Sequence, residues 1–494
     1  MRLNICFFVC LYISAAGAQT LVVTHNTNLR PDASSSGTSL AKLTPGETLK
    51  LLDANPTSGY YHVQTPDGKV GFVSKRSVQV ESDSESQSTT SGANEPAATE
   101  GSAPRSGELS PILVKQHPVD WWFVFKFNSA TFPGCGGTAT RSCPFGGAVQ
   151  SYKNFSQQFV YASSENRILQ NGGDCLGDSV DDPVGATFDE VYSSTLYYVV
   201  WNDQFYDDPQ IRGCTTSCGA PWGHSKGMLA WNDTGSGIVL QVTTPSWPAS
   251  GSKNAPRKTD GNSLGCVKDN DVQVSQHFFA LKLSKDDLTK VLKALHNASV
   301  VTDPSNPQIV KNGGPADVQQ LVISLGVKTN SKEATNDVLS TNVRLISKPS
   351  GLHVPPWQMV SAILSGISLR SATWWANPKI PSTSSATKVI CWDSSLPTPG
   401  PVEIATTGRW AGKEIGLTGG LGTNFNHAKI GVSTSGTHNF SIFADMNQQG
   451  TITGPNCSSS QNGRGGLFYV VDDADLSRSV ADLISGSSAP IPVP

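Results

Sequence analysis

The chain has 494 residues, of which 37% are hydrophobic and 15% charged, with 47 glycines and 31 prolines. That composition is too apolar for a wholly disordered chain and too broken for a coiled coil, and its length suggests about three domains of roughly 150 residues. A formal net charge of −3 excludes a basic protein that coats polyanions, while leaving room for a local basic cleft.

Residues 1–18 carry Arg2, an apolar run from Ile5 to Ile13 and a small-residue end at Ala16, Gly17 and Ala18. They read as a signal peptide, so the chain is expected to be secreted or periplasmic. No later run approaches 18 consecutive apolar residues, and no stable membrane insertion is expected. Removal of Cys6 and Cys10 leaves eight cysteines, Cys135, Cys143, Cys175, Cys214, Cys218, Cys266, Cys391 and Cys457. An even count in an oxidising compartment favours disulfides over a zinc site at Cys214, Cys218 and His224, and spacing alone assigns no pairing.

Residues 20–80 alternate as short strands do, with a hairpin signal at Asp67 and Gly68. Asn28, Leu29 and Arg30, then Leu40, Leu43, Gly46, Glu47, Tyr61 and Val63, and finally Asp67, Gly68, Gly71, Phe72 and Val73 stand in an order that resembles a bacterial-type SH3-like barrel. The resemblance implies a small all-β domain whose ligand is a cell-wall or other peptide, with a spacer role as the alternative. Residues 81–110 hold no aromatic side chain and six acids, and are expected to be a disordered acidic linker rich in Ser and Thr.

From residue 111 to 494, apolar strand-like runs alternate with helical stretches, which argues for packed α/β (α+β) layers. Ser284 is placed to cap a helix whose Leu288, Val291, Leu292 and Leu295 share one face, and a second helix is expected over Ala316 to Leu325. Two short stretches repeat a pattern: Gly223, His224, Ser225, Lys226, Gly227, and Asn426, His427, Ala428, Lys429. In a strand, positions i and i+2 face one side, so each histidine is expected to point with its lysine into one site. An imidazole can attack phosphorus or protonate a leaving oxygen while an ammonium holds phosphate charge.

The flanks of these stretches carry a second resemblance. His117 to Phe127, then Trp201, Asn202, Asp203 and Gln204, the first His-x-Lys, Thr244 to Pro248, the second His-x-Lys, and Asp445, Met446, Asn447 followed by Arg464, Gly465 and Gly466 occur in the order typical of the type II deoxyribonuclease (DNase II) family. That family lies within the phospholipase D superfamily. The resemblance implies two similar halves, about 111–295 and 296–494, each a mixed sheet flanked by helices, meeting at one pseudo-twofold active site. It further implies an endodeoxyribonuclease without metal or other cofactor, favouring acid and leaving 3′-phosphate and 5′-hydroxyl ends through a phosphohistidine. A homodimer is compatible with the family.

On this basis His224, Lys226, His427 and Lys429 are the expected catalytic residues. Asn202, Asp203, Asp445, Asn447 and Arg464 are the expected supporting ones. The sequence departs from the wider superfamily at Trp231 and Thr434, where an Asp is usual, and Gln448 stands where the family has an Arg, so that cation is either absent or replaced by Arg464. Asp120 reads as a structural carboxylate and Lys126 as a solvent-facing residue. Trp121, Trp122, Trp222 and Trp247 read as core, with stacking on unpaired bases as the functional alternative. Two other readings remain open, a lipid phosphodiesterase of the same superfamily and an inactive protein that binds nucleic acid or wall polymer.

Overall fold

The computed structural model describes residues 20–80, except 24–26, 34–37, 45, 54–56 and 58. It also describes 107–492, except 134–155, 174, 178, 212, 215–216, 259–261, 263 and 265–271. The expected signal peptide and most of the expected linker, residues 81–106, lie outside the described residues, as do Cys135, Cys143 and Cys266.

The chain divides into two compact units. In the first, five strands form one sheet and the strands Thr27–Leu29 and Ala41–Leu43 pair separately. Leu21, Val23, Leu29, Leu43, Leu49, Val63 and Val73 make its own core. The Asp67-Gly68 turn joins Tyr60–Gln64 to Val70–Ser74, and Gly68 takes a φ of +85°, a conformation that glycine adopts without steric cost.

The second unit is α/β, built on an eight-stranded and a seven-stranded sheet. The central order of the first is Trp121–Lys126, Gln276–Leu283, Gly237–Val242, Lys226–Trp231 and Tyr197–Asn202. The second repeats that order with Arg344–Lys348, Gly466–Asp472, Phe440–Ala444, Ile430–Ser433 and Leu369–Ala372. All but one of the strand pairs in these two sheets are antiparallel, the exception being Leu369–Ala372 with Val402–Ile404. The first sheet ends on Val310–Lys311, so it draws on residues beyond the expected division at 295.

The central strands read as continuous apolar runs because both faces are covered. Phe123 and Phe279 of one sheet pack on Phe443 of the other with ring centroids 4.3 and 4.8 Å apart, and Phe279 meets Tyr469 at 5.5 Å. Lys126, on the opposite face of its strand from Phe123, is buried as well. It is 1% exposed, and its Nζ donates to the carbonyls of Phe127, Ser156 and Val274, which corrects the solvent-facing expectation.

The helix Lys285–Asn297 starts at a capping box, with the Ser284 side chain accepting from Asp287 N and Asp287 returning to Ser284 N. The next helix runs Ala316–Ile323, two residues shorter than expected. The last residues of the expected linker are ordered against the second unit. Leu109 is 6% exposed, Leu109 N donates to Ser236 Oγ, and Glu108 pairs with Lys282 at 2.6 Å. An apolar Leu109 has surface to bury that the Ser/Thr-rich residues before it lack.

Candidate active site

The two His-x-Lys segments meet in one pocket of about 490 Å³, lined by His224, Lys226, His427, Lys429, Gln204, Tyr206, Thr243, Pro245, Trp374, Leu421 and Asn447. The strand expectation for these segments does not hold in full. The strand Lys226–Trp231 begins at the lysine, and Ile430–Ser433 begins after Lys429, so both histidines lie on the segments leading in. There each is held by the other half. His224 N donates to Gly465 O at 2.8 Å and His427 N to Ser275 O at 2.7 Å, and those two acceptors immediately precede the equivalent strands Gly466–Asp472 and Gln276–Leu283.

The side-chain surroundings break this symmetry. His224 Nδ1 lies 2.7 Å from the main-chain oxygen of Asp445. A carbonyl only accepts, so Nδ1 carries the proton and Nε2 is left with its lone pair. His427 Nδ1 lies 3.3 Å from Gln276 Nε2, while Gln276 Oε1 accepts from the Thr243 hydroxyl at 2.7 Å. An amide can turn over, so Gln276 has a partner for the His427 ring in either protonation state. Trp374 stands edge-on to His427 with centroids 4.1 Å apart.

Charge in the pocket is distributed unevenly. Asp203, 1% exposed, accepts from Lys226 Nζ at 2.5 Å on one oxygen and from Arg464 Nη2 at 2.8 Å on the other. Burial alone would raise its carboxyl, but Lys226, Arg464 and His224 outweigh that and hold it below the ordinary range. Lys429 Nζ has a main-chain partner instead, His427 O at 2.5 Å. Burial, with Lys226 nearby, depresses Lys429 well below the usual lysine range. Both histidines are depressed well below 6.5, His224 by burial and Lys226, His427 by burial and Lys429.

A buried polar chain joins the two halves behind the pocket. Lys429 N donates to His277 Nδ1 at 3.0 Å, which leaves the opposite ring nitrogen facing Gln241 Oε1 at 3.4 Å. Gln241 Nε2 donates to Asp445 Oδ1 at 3.1 Å, and Leu467 N to Asp445 Oδ2 at 3.0 Å. Burial pushes the Asp445 carboxyl up to about 7.

The expected supporting residues divide by what they touch. Asn447 lines the pocket, with Nδ2 on Gln449 and a buried Oδ1 that has no hydrogen-bond partner among the described residues. Arg464 grips the segment before His224, donating to the carbonyls of Trp222 and Gly223 as well as to Asp203. Asn202 is fully buried and ties the carbonyls of Thr244 and Trp247 to Gln204 N. Gln448 is fully buried against Gln358.

Asp120 is exposed and approaches Lys282 only at 3.9 Å. Trp121, Trp122, Trp222 and Trp247 are buried, and the tryptophan at the pocket is Trp374. Sequence reasoning missed Trp374, Thr243, Gln276, His277 and Gln241. The last three carried a signal, being polar residues within or opening apolar strands.

Among the described residues, disulfides join Cys214 to Cys218 and Cys391 to Cys457. The first backs the site, since Cys218 N donates to Asp203 O at 2.8 Å. No helix among the described residues is long and apolar enough to cross a membrane.

A family model described as Deoxyribonuclease II matches residues 110–488, and one described as Bacterial SH3 domain matches residues 25–79. No curated protein matches the chain by sequence. Solved structures similar to it include two mutants of the yeast tyrosyl-DNA phosphodiesterase, each 9% identical and covering 58% of this chain and 86% or 87% of its own. Both have a TM-score of 0.29 to this chain.

Proposed function

Because the chain belongs to the deoxyribonuclease II family, we propose that it is an exported endodeoxyribonuclease in which His224 is the nucleophile and His427 the acid and base. The carrying observation is the unlike support of the two rings in one pocket. Only His224 has its Nδ1 committed to a carbonyl, which keeps Nε2 available as a lone pair. His427, beside an amide that serves either state, is suited to gaining and losing a proton.

In the first step His224 Nε2 forms a bond to phosphorus as the bond to the 5′ oxygen breaks, and protonated His427 gives its proton to that oxygen. In the second, His427 takes a proton from water, the water oxygen bonds to phosphorus, and the phosphorus–nitrogen bond breaks. The products are a 5′-hydroxyl and a 3′-phosphate. Lys226 and Lys429 hold the non-bridging oxygens, an electrostatic role typically worth several kcal/mol.

The chemistry requires neutral His224 and protonated His427 together. Both rings are depressed below 6.5 by burial and neighbouring lysines, so the rate is expected to peak on the acid side of that value. It falls at higher pH as His427 loses its proton and at lower pH as His224 gains one. The disulfides support an oxidising compartment, and the N-terminal unit is assigned to holding a wall peptide.

The test is cleavage of plasmid DNA in EDTA from about pH 4 to 8, beside His224→Ala, with end-group analysis. Wild-type cutting into 3′-phosphate ends that the variant abolishes is the expected result. Cutting that EDTA removes, or no cutting at any pH, would sink the reading and turn attention to lipid phosphodiesters or binding.

A further inference from the structure

Resting on the reading of DNA as substrate, we infer that Leu421 is a wedge that enters the base stack beside the scissile phosphate. Leu421 is 86% exposed, the highest value among the large apolar side chains exposed in the described residues, and it lines the same pocket as both histidines and both lysines. A leucine left this bare at the mouth of a cationic pocket gains nothing from folding and has apolar surface to bury against a ligand.

The loop is built to hold that side chain out. Asn426 N donates to Thr418 O at 2.9 Å, Gly419 N to Trp375 O at 3.3 Å, and Ala130 N of the other half to Thr423 O at 3.0 Å. A Cβ on Gly419 would stand 2.7 Å from the Trp374 indole, and one on Gly420 2.6 Å from the Phe425 ring. Only glycine lets the chain lie this close to two aromatic rings, so the loop is braced on both sides of its apex. The apex side chain is therefore presented on a fixed support.

Apolar side chains of this size unstack base steps when they are held beside the backbone. The phosphate on Lys226 and Lys429 would fix the strand, and Leu421 would separate the neighbouring bases, with Trp374 as the aromatic surface beside the opened step. Duplex DNA must be unstacked for this, whereas single strands need no such opening. Pyrimidine–purine steps, the easiest to unstack, are then the preferred cleavage positions.

The test compares wild type with Leu421→Ala on a duplex and on its isolated strand. The substitution is expected to lower kcat/KM on the duplex about tenfold more than on the single strand, since only the duplex step has to be unstacked. A second readout uses a duplex carrying 2-aminopurine. Its fluorescence is expected to rise on binding His224→Ala and to stay low with the His224→Ala, Leu421→Ala double variant. Equal loss on both DNA forms, or the same fluorescence rise with both variants, overturns the wedge while leaving the nuclease intact. A wild-type protein that cuts neither form overturns the nuclease reading, and the wedge with it.

Discussion

His224 and His427 occupy equivalent places in the two halves, yet the groups on their Nδ1 atoms differ in what they permit. Asp445 O demands a proton from His224, while Gln276 meets His427 with either end of its amide. If His427 serves as the acid, its loss should hurt in proportion to how poor the leaving group is. His427→Ala is expected to slow DNA cleavage about 10²- to 10⁴-fold, and to slow release of nitrophenol from a nitrophenyl phosphodiester far less. Initial rates on the two substrates check this, and an equal loss on both would count against the assignment. His224→Ala, in contrast, should lose both activities together.

At the scale of elements, the helix Lys285–Asn297 governs where the first histidine sits. The residue that caps its C-terminus, Ala298, lies against both Gly223 and Gly465, the residue before His224 and the residue whose carbonyl holds His224 N. A methyl group at position 465 has no room beside Ala298 O. Gly465→Ala is therefore expected to cost about 1–3 kcal/mol of stability, read by denaturant unfolding, and to lower cleavage by shifting the His224 backbone.

How much of this was legible beforehand follows from the reach of local pattern. The capping box at Ser284 and the Asp67-Gly68 turn are written in adjacent residues, and the repeated His-x-Lys marks itself by recurrence. The strand setting of those histidines was misread because the segments leading into the two strands bond to the opposite half, a partner hundreds of residues away in one case and about 150 in the other. Lys126 was misread because a strand lysine is expected to face water, and here the carbonyls of Phe127, Ser156 and Val274, two of them distant in sequence, enclose its ammonium. Trp374 and Leu421 have no local signature, since only the tertiary fold of the second half brings them beside His427.

For the molecule as a whole, buried groups of opposite kind set the response to pH. The Asp445 carboxyl is raised by burial to about 7, so its contribution is fully present below the ordinary value of 3.8 and is lost as pH rises through 7. The imidazoles of His224, His277 and His427 are depressed by burial, so theirs is present above 6.5 and is lost as pH falls through their folded-state values. Asp445→Asn keeps an acceptor for Leu467 N but carries no proton to lose. Between about pH 6 and 8 it is expected to remove roughly 1 to 1.5 kcal/mol of the wild type's loss in stability, as followed by unfolding at each pH.

The exchange of main-chain bonds between the halves also bears on the cell that makes the protein. Gly465 O, which seats His224, lies just before the last strand among the described residues, and Ser275 O, which seats His427, belongs to the earlier half. A ribosome that has translated as far as residue 460 holds a polypeptide with both histidines and both lysines but without the carbonyl that places the first of them. Truncation after residue 460 is therefore expected to leave His224 without its main-chain seat although both His-x-Lys segments are still present, so the pocket does not assemble.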